Sequence, residues 1–200
     1  MSDSSASTLQ CIVGLGNPGP TYAETRHNAG VWFIQALCDA THTQLTLNSR
    51  LRAYCGQVQL GSHTVHLLVP NVFMNNSGQV LRSFLQYYKI PPENCLVVHD
   101  ELDLPNGTVR AKQGGGHGGH NGLRDIIQQL SGQSNFYRLR IGIGRPVHPG
   151  HTVADFVLAK PSVDEKIDID KAIEQTLPHI GDMVAGRWDK PMKQLHAKYG

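Results

Sequence analysis

The 200-residue sequence lacks any run of 18 apolar residues, and its first ten residues contain no basic segment followed by an apolar one. The first absence argues against a membrane-spanning helix, and the second argues against a secretory signal peptide. There are only four cysteines, and none forms a C-x-x-C pair. We therefore expect reduced core thiols in a cytoplasmic protein. A chain of this length buries roughly 70% of its unfolded surface, so neither a disulfide nor a metal is needed for stability.

Several common catalytic motifs are also missing. No G-x-S-x-G motif is present, and no cysteine lies in the loops discussed below, so no protein nucleophile is evident. The glycine run at residues 114–119 lacks the Lys-Ser/Thr ending of a phosphate-binding P-loop. Three histidine pairs have H-x-x-H spacing, but none has the third ligand that zinc requires. We expect no metal and no cofactor.

The charge is distributed unevenly along the chain. The formal net charge is +2, yet residues 107–160 contain seven Lys/Arg and only two acidic residues, which gives this segment +5 and the remainder −3. Such asymmetry is typical of a basic face that meets an anion such as a nucleic acid. An ordinary solvated surface is the alternative interpretation.

Hydrophobic periodicity predicts strands that alternate with helices. The apolar spacing in residues 28–40 and 80–88 indicates two amphipathic helices, the second ended by Pro91-Pro92. A Gly61-Ser62 turn between two strand-like segments indicates a hairpin. The predicted strands are residues 9–15, 52–60, 64–69, 95–98, 108–112 and 139–143, and two further helices are predicted at residues 123–130 and 164–187.

This alternation predicts a single α/β domain with a twisted mixed, mostly parallel β-sheet that is flanked by helices on both faces. We expect residues 9–200 to form this domain and residues 1–8 to form a disordered tail, because no linker or internal repeat divides the chain. Ligand crevices of such sheets lie at the carboxyl ends of strands. Asn17, Asn75 and the His99-Asp100 pair all follow predicted strands. We expect them to meet at one crevice.

The residue types in these loops fit a hydrolase that works without a metal. His27 can act as the general base, because an imidazole changes protonation near neutral pH. Asp100 can orient it by accepting a hydrogen bond from one ring nitrogen, and water is then the nucleophile. The amides of Asn17, Asn75 and Asn121 can grip a peptide or ester carbonyl without adding charge. As an alternative, each asparagine caps a helix or stabilises a turn.

The glycine run before His120 has three possible interpretations. Its backbone N–H groups could form an anion site at a helix N-terminus, or the segment could be a mobile cover over the site. A plain flexible loop is the third possibility.

Long motifs in this chain resemble those of the bacterial-type peptidyl-tRNA hydrolase family, in the same order and from about residue 9 to the C-terminus. They are GLGNPG at residues 14–19 with Tyr22, TRHN at residues 25–28, FMNNSG at residues 73–78, HDELDLP at residues 99–105, GGGHGGHNGL at residues 114–123 and FYRLRIGIGRP at residues 136–146.

The resemblance implies a monomeric, cytoplasmic esterase that cuts the bond between a peptide and the 3′ ribose of tRNA. By this similarity His27, Asp100 and Asn17 are catalytic. The implied partner is peptidyl-tRNA, contacted at its acceptor stem, 3′ CCA end and 5′ phosphate. The resemblance assigns substrate binding to Tyr22, Phe73, Met74, Asn75, His120 and Asn121. It assigns the 5′ phosphate to Lys112 and Arg140, and Arg110 is a plausible helper.

Two alternatives remain from the sequence. A non-catalytic RNA-binding relative would keep the fold and lose turnover, although His27, Asp100 and the three asparagines are all intact. A metal-dependent phosphohydrolase built on His99-Asp100 would lose its activity in EDTA.

Overall fold

The computed structural model describes residues 7–197. Most of the predicted tail, residues 1–6, lies outside the described residues. Within the described residues, no helix has the length and apolar character needed to cross a bilayer.

A seven-stranded sheet forms the centre of the domain, in the order β2-β3-β4-β1-β5-β7-β6. Strands β4, β1, β5 and β7 are mutually parallel, whereas β2, β3 and β6 pair antiparallel at the two sides. The predicted mixed sheet is therefore confirmed. The strands are β1 (Cys11–Gly14), β2 (Thr46–Asn48), β3 (Ala53–Leu60), β4 (His63–Pro70), β5 (Cys95–Glu101), β6 (Val109–Gln113) and β7 (Tyr137–Gly142).

Helices cover both faces of the sheet, as predicted. Helices α2 (Ser77–Tyr88) and α3 (Asn121–Gln129) pack on the face that includes Val13 and Val97. The opposite face, which includes Ile12 and Leu96, is covered by the remaining helices. These are α1 (Ala29–Thr41), α4 (Val153–Val157), α5 (Val163–Thr176), α6 (Ile180–Val184) and α7 (Asp189–Ala197).

The central strands are continuous apolar runs because both of their faces are buried. All four residues of β1 are buried, and so are the first six residues of β5. Strands covered by helices on both sides show no polar alternation. Burial continues through Asp100, so the polar end of β5 is enclosed within the protein rather than exposed to solvent.

Most predicted elements occur within one or two residues of their expected bounds, but three details were wrong. The predicted helix at residues 164–187 is interrupted by a 3-10 turn, Leu177–His179, because Pro178 lacks the N–H that continues a helix. Helix α2 ends at Tyr88, and the residue that closes it is Lys89, which adopts the left-handed conformation (φ 55°), rather than Pro91-Pro92. The periodicity also missed β2, α4 and α7, since short elements carry too few apolar positions to show a period.

Candidate active site

His27 and Asp100 meet at the carboxyl end of the central strands. His27 lies in the 3-10 turn Arg26–Asn28 that leads into α1, and Asp100 lies near the end of β5. The His27 Nδ1 atom is 2.9 Å from Asp100 Oδ1 and 3.0 Å from Oδ2. Both residues are buried, with exposures of 7% and 3%. The predicted pair is thus in direct contact, although 73 residues separate its members in the sequence.

His120 is a second imidazole bonded to Asp100. Its Nε2 atom is 2.9 Å from Asp100 Oδ1. Its Nδ1 atom accepts hydrogen bonds from the N–H groups of Gly122 and Leu123, at 3.1 and 3.3 Å, and so caps α3. A ring nitrogen that accepts two amide hydrogens carries no proton of its own. His120 is therefore a neutral imidazole that donates from Nε2 to Asp100.

The same reasoning fixes the protonation of His27. An ionised carboxylate only accepts hydrogen bonds, so His27 must donate from Nδ1 and its Nε2 atom keeps a free lone pair. No hydrogen bond from the described residues occupies this Nε2 atom. His27 is thus arranged to accept a proton at Nε2.

Charge and burial oppose each other at this pair. Burial lowers the pKa of His27, but the charge of Asp100 and its hydrogen bond outweigh burial and raise the pKa above 6.5. Burial alone would raise the pKa of Asp100, yet the two facing imidazoles hold it well below its usual range. Asp100 therefore stays ionised across the neutral pH range.

His99 supports Asp100 from the backbone side. Its Nδ1 atom donates to the Asp100 carbonyl oxygen at 2.7 Å. Burial lowers the pKa of His99 to about 3. A neutral His99 adds no positive charge beside Asp100.

The loop that carries Asn17 is held by a reciprocal pair of hydrogen bonds. The Asn17 N–H donates to Asn28 Oδ1 and the Asn28 side chain donates to the Asn17 carbonyl, both at 2.9 Å. The Asn17 Oδ1 atom accepts from the Met74 N–H at 2.7 Å. The amide orientation is therefore fixed, and the Nδ2 donors of Asn17 remain for a ligand carbonyl.

The other predicted substrate-binding residues near Met74 differ in exposure. Met74 is buried, whereas the adjacent Asn75 and Phe73 are exposed. The rings of Tyr22 and Phe73 meet edge to face at 6.0 Å between centroids. Asn17 itself lines a second cavity, which also includes Val31 and Tyr54, and not the cavity that contains His27.

A cavity of about 150 Å³ opens directly in front of the histidine pair. His27, Asp100, Glu101, Leu102 and the chain from His117 to Asn121 line it, together with Val153, Ala154 and Val157 of α4. The lining thus combines polar and apolar side chains, which suits a substrate that is only partly polar.

Arg26 connects α4 to the catalytic turn. Its guanidinium donates to the Phe156 carbonyl at 3.2 Å and to Glu165 at 2.8 Å, and it lies 4.1 Å from the Phe156 ring centroid. Glu165 also closes a capping box with Ser162 at the start of α5. The sequence analysis missed both features, although the Ser-x-x-Glu pattern at residues 162–165 is a recognised helix start.

Ligand-type atoms of His27, Asp100 and His120 lie within 4.8 Å of one another, close enough to hold a metal ion. The hydrogen bonds argue against this use. A metal at His120 Nε2 would move its proton to Nδ1, and the cap of α3 would be lost.

The predicted phosphate-binding residues lie on a separate surface, on the α3 face of the sheet. Arg110 pairs directly opposite Arg140 across β6 and β7, and Lys112 pairs opposite Arg138. We call these four residues the basic ladder. Like charges placed directly opposite each other are unfavourable for the pairing of the two strands. The sequence analysis had not assigned Arg138 a role.

Comparison with known proteins identifies the family of this chain. Residues 11–199 match the family model described as peptidyl-tRNA hydrolase. The peptidyl-tRNA hydrolase of Methylococcus capsulatus is 52% identical over 188 residues, which cover 94% of this chain and 99% of that protein. The Marinomonas enzyme is 47% identical over 191 residues, covering 94% and 97%. The crystal structure of peptidyl-tRNA hydrolase from Acinetobacter baumannii superposes with a TM-score of 0.90 at 43% identity and covers 98% of both chains. This chain therefore belongs to the peptidyl-tRNA hydrolase family.

Proposed function

We propose that this chain hydrolyses the ester bond between a peptide, or an N-blocked aminoacyl group, and the 3′ ribose of tRNA. The observation that carries the proposal is the buried Asp100–His27 hydrogen bond, which leaves His27 Nε2 free beside an open cavity. Family membership supports the substrate class. The reaction recycles tRNA from peptidyl-tRNA released before translation is complete.

In this mechanism His27 activates water directly. Water attacks the ester carbonyl while its proton passes to His27 Nε2, and Asp100 stabilises the imidazolium that forms. The same proton then goes to the departing 3′ oxygen, so the products are a free peptide carboxyl and a tRNA 3′ hydroxyl. No protein nucleophile, metal or cofactor takes part.

Asn17 donates from Nδ2 to the carbonyl oxygen that gains negative charge. Such a preoriented donor contributes most in the transition state. Asn75 and Asn121 bind the peptide backbone, with Tyr22, Phe73 and Met74 as the wall around it. His120 completes the site at Asp100.

The tRNA body binds the basic ladder, with Lys112 and Arg140 on the 5′ phosphate and Arg110 beside them. Phosphate contacts position a nucleic acid without reading its sequence, which suits an enzyme that accepts many tRNAs. We place the enzyme in the cytoplasm as a monomer.

The test is cleavage of N-acetylaminoacyl-tRNA in the presence of EDTA by the wild type and by His27→Ala. General-base catalysis contributes about 10²- to 10⁴-fold, so turnover should fall by that factor while the Kd for deacylated tRNA stays unchanged. Gln128→Ala, an exposed position in α3, is the matched control. Full single-turnover activity in His27→Ala would show that this residue is not the general base. Loss of wild-type activity in EDTA would show that the reaction requires a metal ion.

A further inference from the structure

The glycine loop, residues 114–119, rests on a buried arginine. The Arg138 guanidinium donates to the carbonyl oxygens of Gly115 and Gly116. Arg138 is only 1% exposed, and its guanidinium lies 4.6 Å from the Phe136 ring centroid. Both carbonyls therefore point down into the protein.

This arrangement fixes the direction of the next two backbone N–H groups. The described chain has no cis peptide bonds, and in a trans peptide the N–H points opposite to the preceding C=O. The N–H groups of Gly116 and His117 thus point away from Arg138. Among the described residues, neither has a hydrogen-bond acceptor. A Cβ atom built on Gly116 would meet nothing within 4 Å, so the space above the loop is open.

Positive charge surrounds these two N–H groups. The Lys112 Nζ atom lies 2.8 Å from where a Cβ of Gly115 would be. No carboxylate in the described residues forms an ion pair with Arg138, whose Nε atom is buried without any partner. Burial is the largest cause that lowers the pKa of both Arg138 and Lys112, and the charge of Arg140 is the next largest. The charge of Glu101 raises both pKa values, but less than the other effects lower them. A buried cation without a counter-ion favours a bound anion.

The loop also lies between the two parts of the proposed site. Lys112 belongs to the basic ladder, and His117 lines the cavity in front of His27. A single-stranded 3′ end that runs from a duplex on the ladder to the ester in the cavity must cross this loop. Its phosphodiester groups are the anions available there.

We propose that the Gly116 and His117 N–H groups bind a phosphodiester of the single-stranded 3′ end of the tRNA, and that Lys112 contacts this group in addition to the 5′ phosphate. Consecutive outward N–H groups form an anion-binding concavity, and the lysine adds a charge-assisted contact. Arg138 does not touch the phosphate; it turns the two carbonyls inward and so turns the N–H groups outward. This site rests on the proposed function, because it orients the same substrate.

The experiment removes one backbone charge at a time. N-acetylaminoacyl-tRNA is prepared with a neutral methylphosphonate at each of the last three linkages in turn, and with one in the anticodon loop as the control. We expect one 3′ linkage to raise the KM of the wild type about 10-fold, and the control to leave it unchanged. If no 3′ methylphosphonate changes KM or kcat, the proposal is wrong.

A pair of loop variants then tests the backbone contact. Gly116→Pro removes the N–H, whereas Gly116→Ala keeps it and places its Cβ in open space. We expect the proline variant to lose about 10-fold in kcat/KM on natural substrate and nothing further on the sensitive methylphosphonate substrate. The alanine variant, which keeps the N–H, should lose less than the proline variant, and the exposed Gln128→Ala control should be unaffected. An equal loss on both substrates would mean that proline only distorts the loop, and the phosphate contact would be rejected. A wild type that cleaves no natural substrate would instead reject the proposed function itself.

Discussion

Replacement of His120 by asparagine should change the pH dependence of catalysis. The imidazole has two separate bonds, one from Nε2 to Asp100 and one at Nδ1 that caps α3. Asparagine is one of the best capping residues, so His120→Asn can keep the cap through Oδ1. Its short side chain cannot reach Asp100 in place of Nε2. The variant therefore isolates the loss of one donor to the carboxylate.

The size of the effect follows from the bond that is removed. A hydrogen bond to a charged group contributes about 1.5–3 kcal/mol. With one donor removed, Asp100 interacts more strongly with protonated His27, whose pKa is already raised. We take roughly half of the energy of the lost His120–Asp100 hydrogen bond to reappear as a stronger interaction between Asp100 and protonated His27. The pKa of His27 then rises by about 0.5–1 unit, since one unit corresponds to about 1.4 kcal/mol.

The measurement is kcat/KM for N-acetylaminoacyl-tRNA as a function of pH. Catalysis needs neutral His27, so activity falls as the pH drops through the pKa of His27. We expect this acid limb to move to higher pH by about 0.5–1 unit, with the plateau at alkaline pH changed less than 10-fold. His120→Ala should show the same shift and also lose about 1 kcal/mol of stability, because the cap is gone.

Two results would refute this reasoning. An acid limb that stays in place or moves to lower pH would mean that His120 does not control the charge balance at Asp100. A higher KM with an unchanged limb would instead place His120 against the substrate, as the family resemblance implies.

Two further predictions concern the substrate. Arg140→Ala or Lys112→Ala should weaken tRNA binding and reduce the slope of log K against log salt by about 0.7–0.9 for each phosphate that the variant no longer neutralises; a filter-binding titration with an unchanged slope would place the RNA on another surface. A free aminoacyl-tRNA should be cleaved far more slowly than its N-acetyl form, because its ammonium group would lose hydration among uncharged amides. Equal kcat/KM values for the two esters would contradict the uncharged peptide site.

Part of the site could be predicted from the sequence because strand ends and polar loop residues are local features. The apolar run before Asp100 and the turn at His27 indicated where each side chain would lie, and parallel strands bring such ends to one edge. Asn17 and Asn75 follow the same logic, because each comes shortly after a predicted strand. The bond between His27 and Asp100 was nevertheless a hypothesis until the fold was known.

Residues that act through distant partners carried no local signal. Arg26 and Asn28 lie in a polar turn and Arg138 lies in the buried strand β7. Nothing near them in the sequence indicates that they bind α4, the Asn17 loop and the glycine loop, respectively. The facing like charges of the basic ladder also depend on the pairing register of β6 and β7. A slip of one residue in this register would move every side chain of the slipped strand to the other face of the sheet.

The sequence by itself determined the alternation of strands and helices, the basic segment and the family, because composition, periodicity and contiguous motifs are properties of the chain. Only the tertiary structure indicates which nitrogen of His27 and of His120 carries a proton, since that depends on partners brought from other elements. The tertiary structure likewise decided the direction of the N–H groups at Gly116 and His117. A hydrogen bond depends on distance and orientation in space, and sequence separation constrains neither.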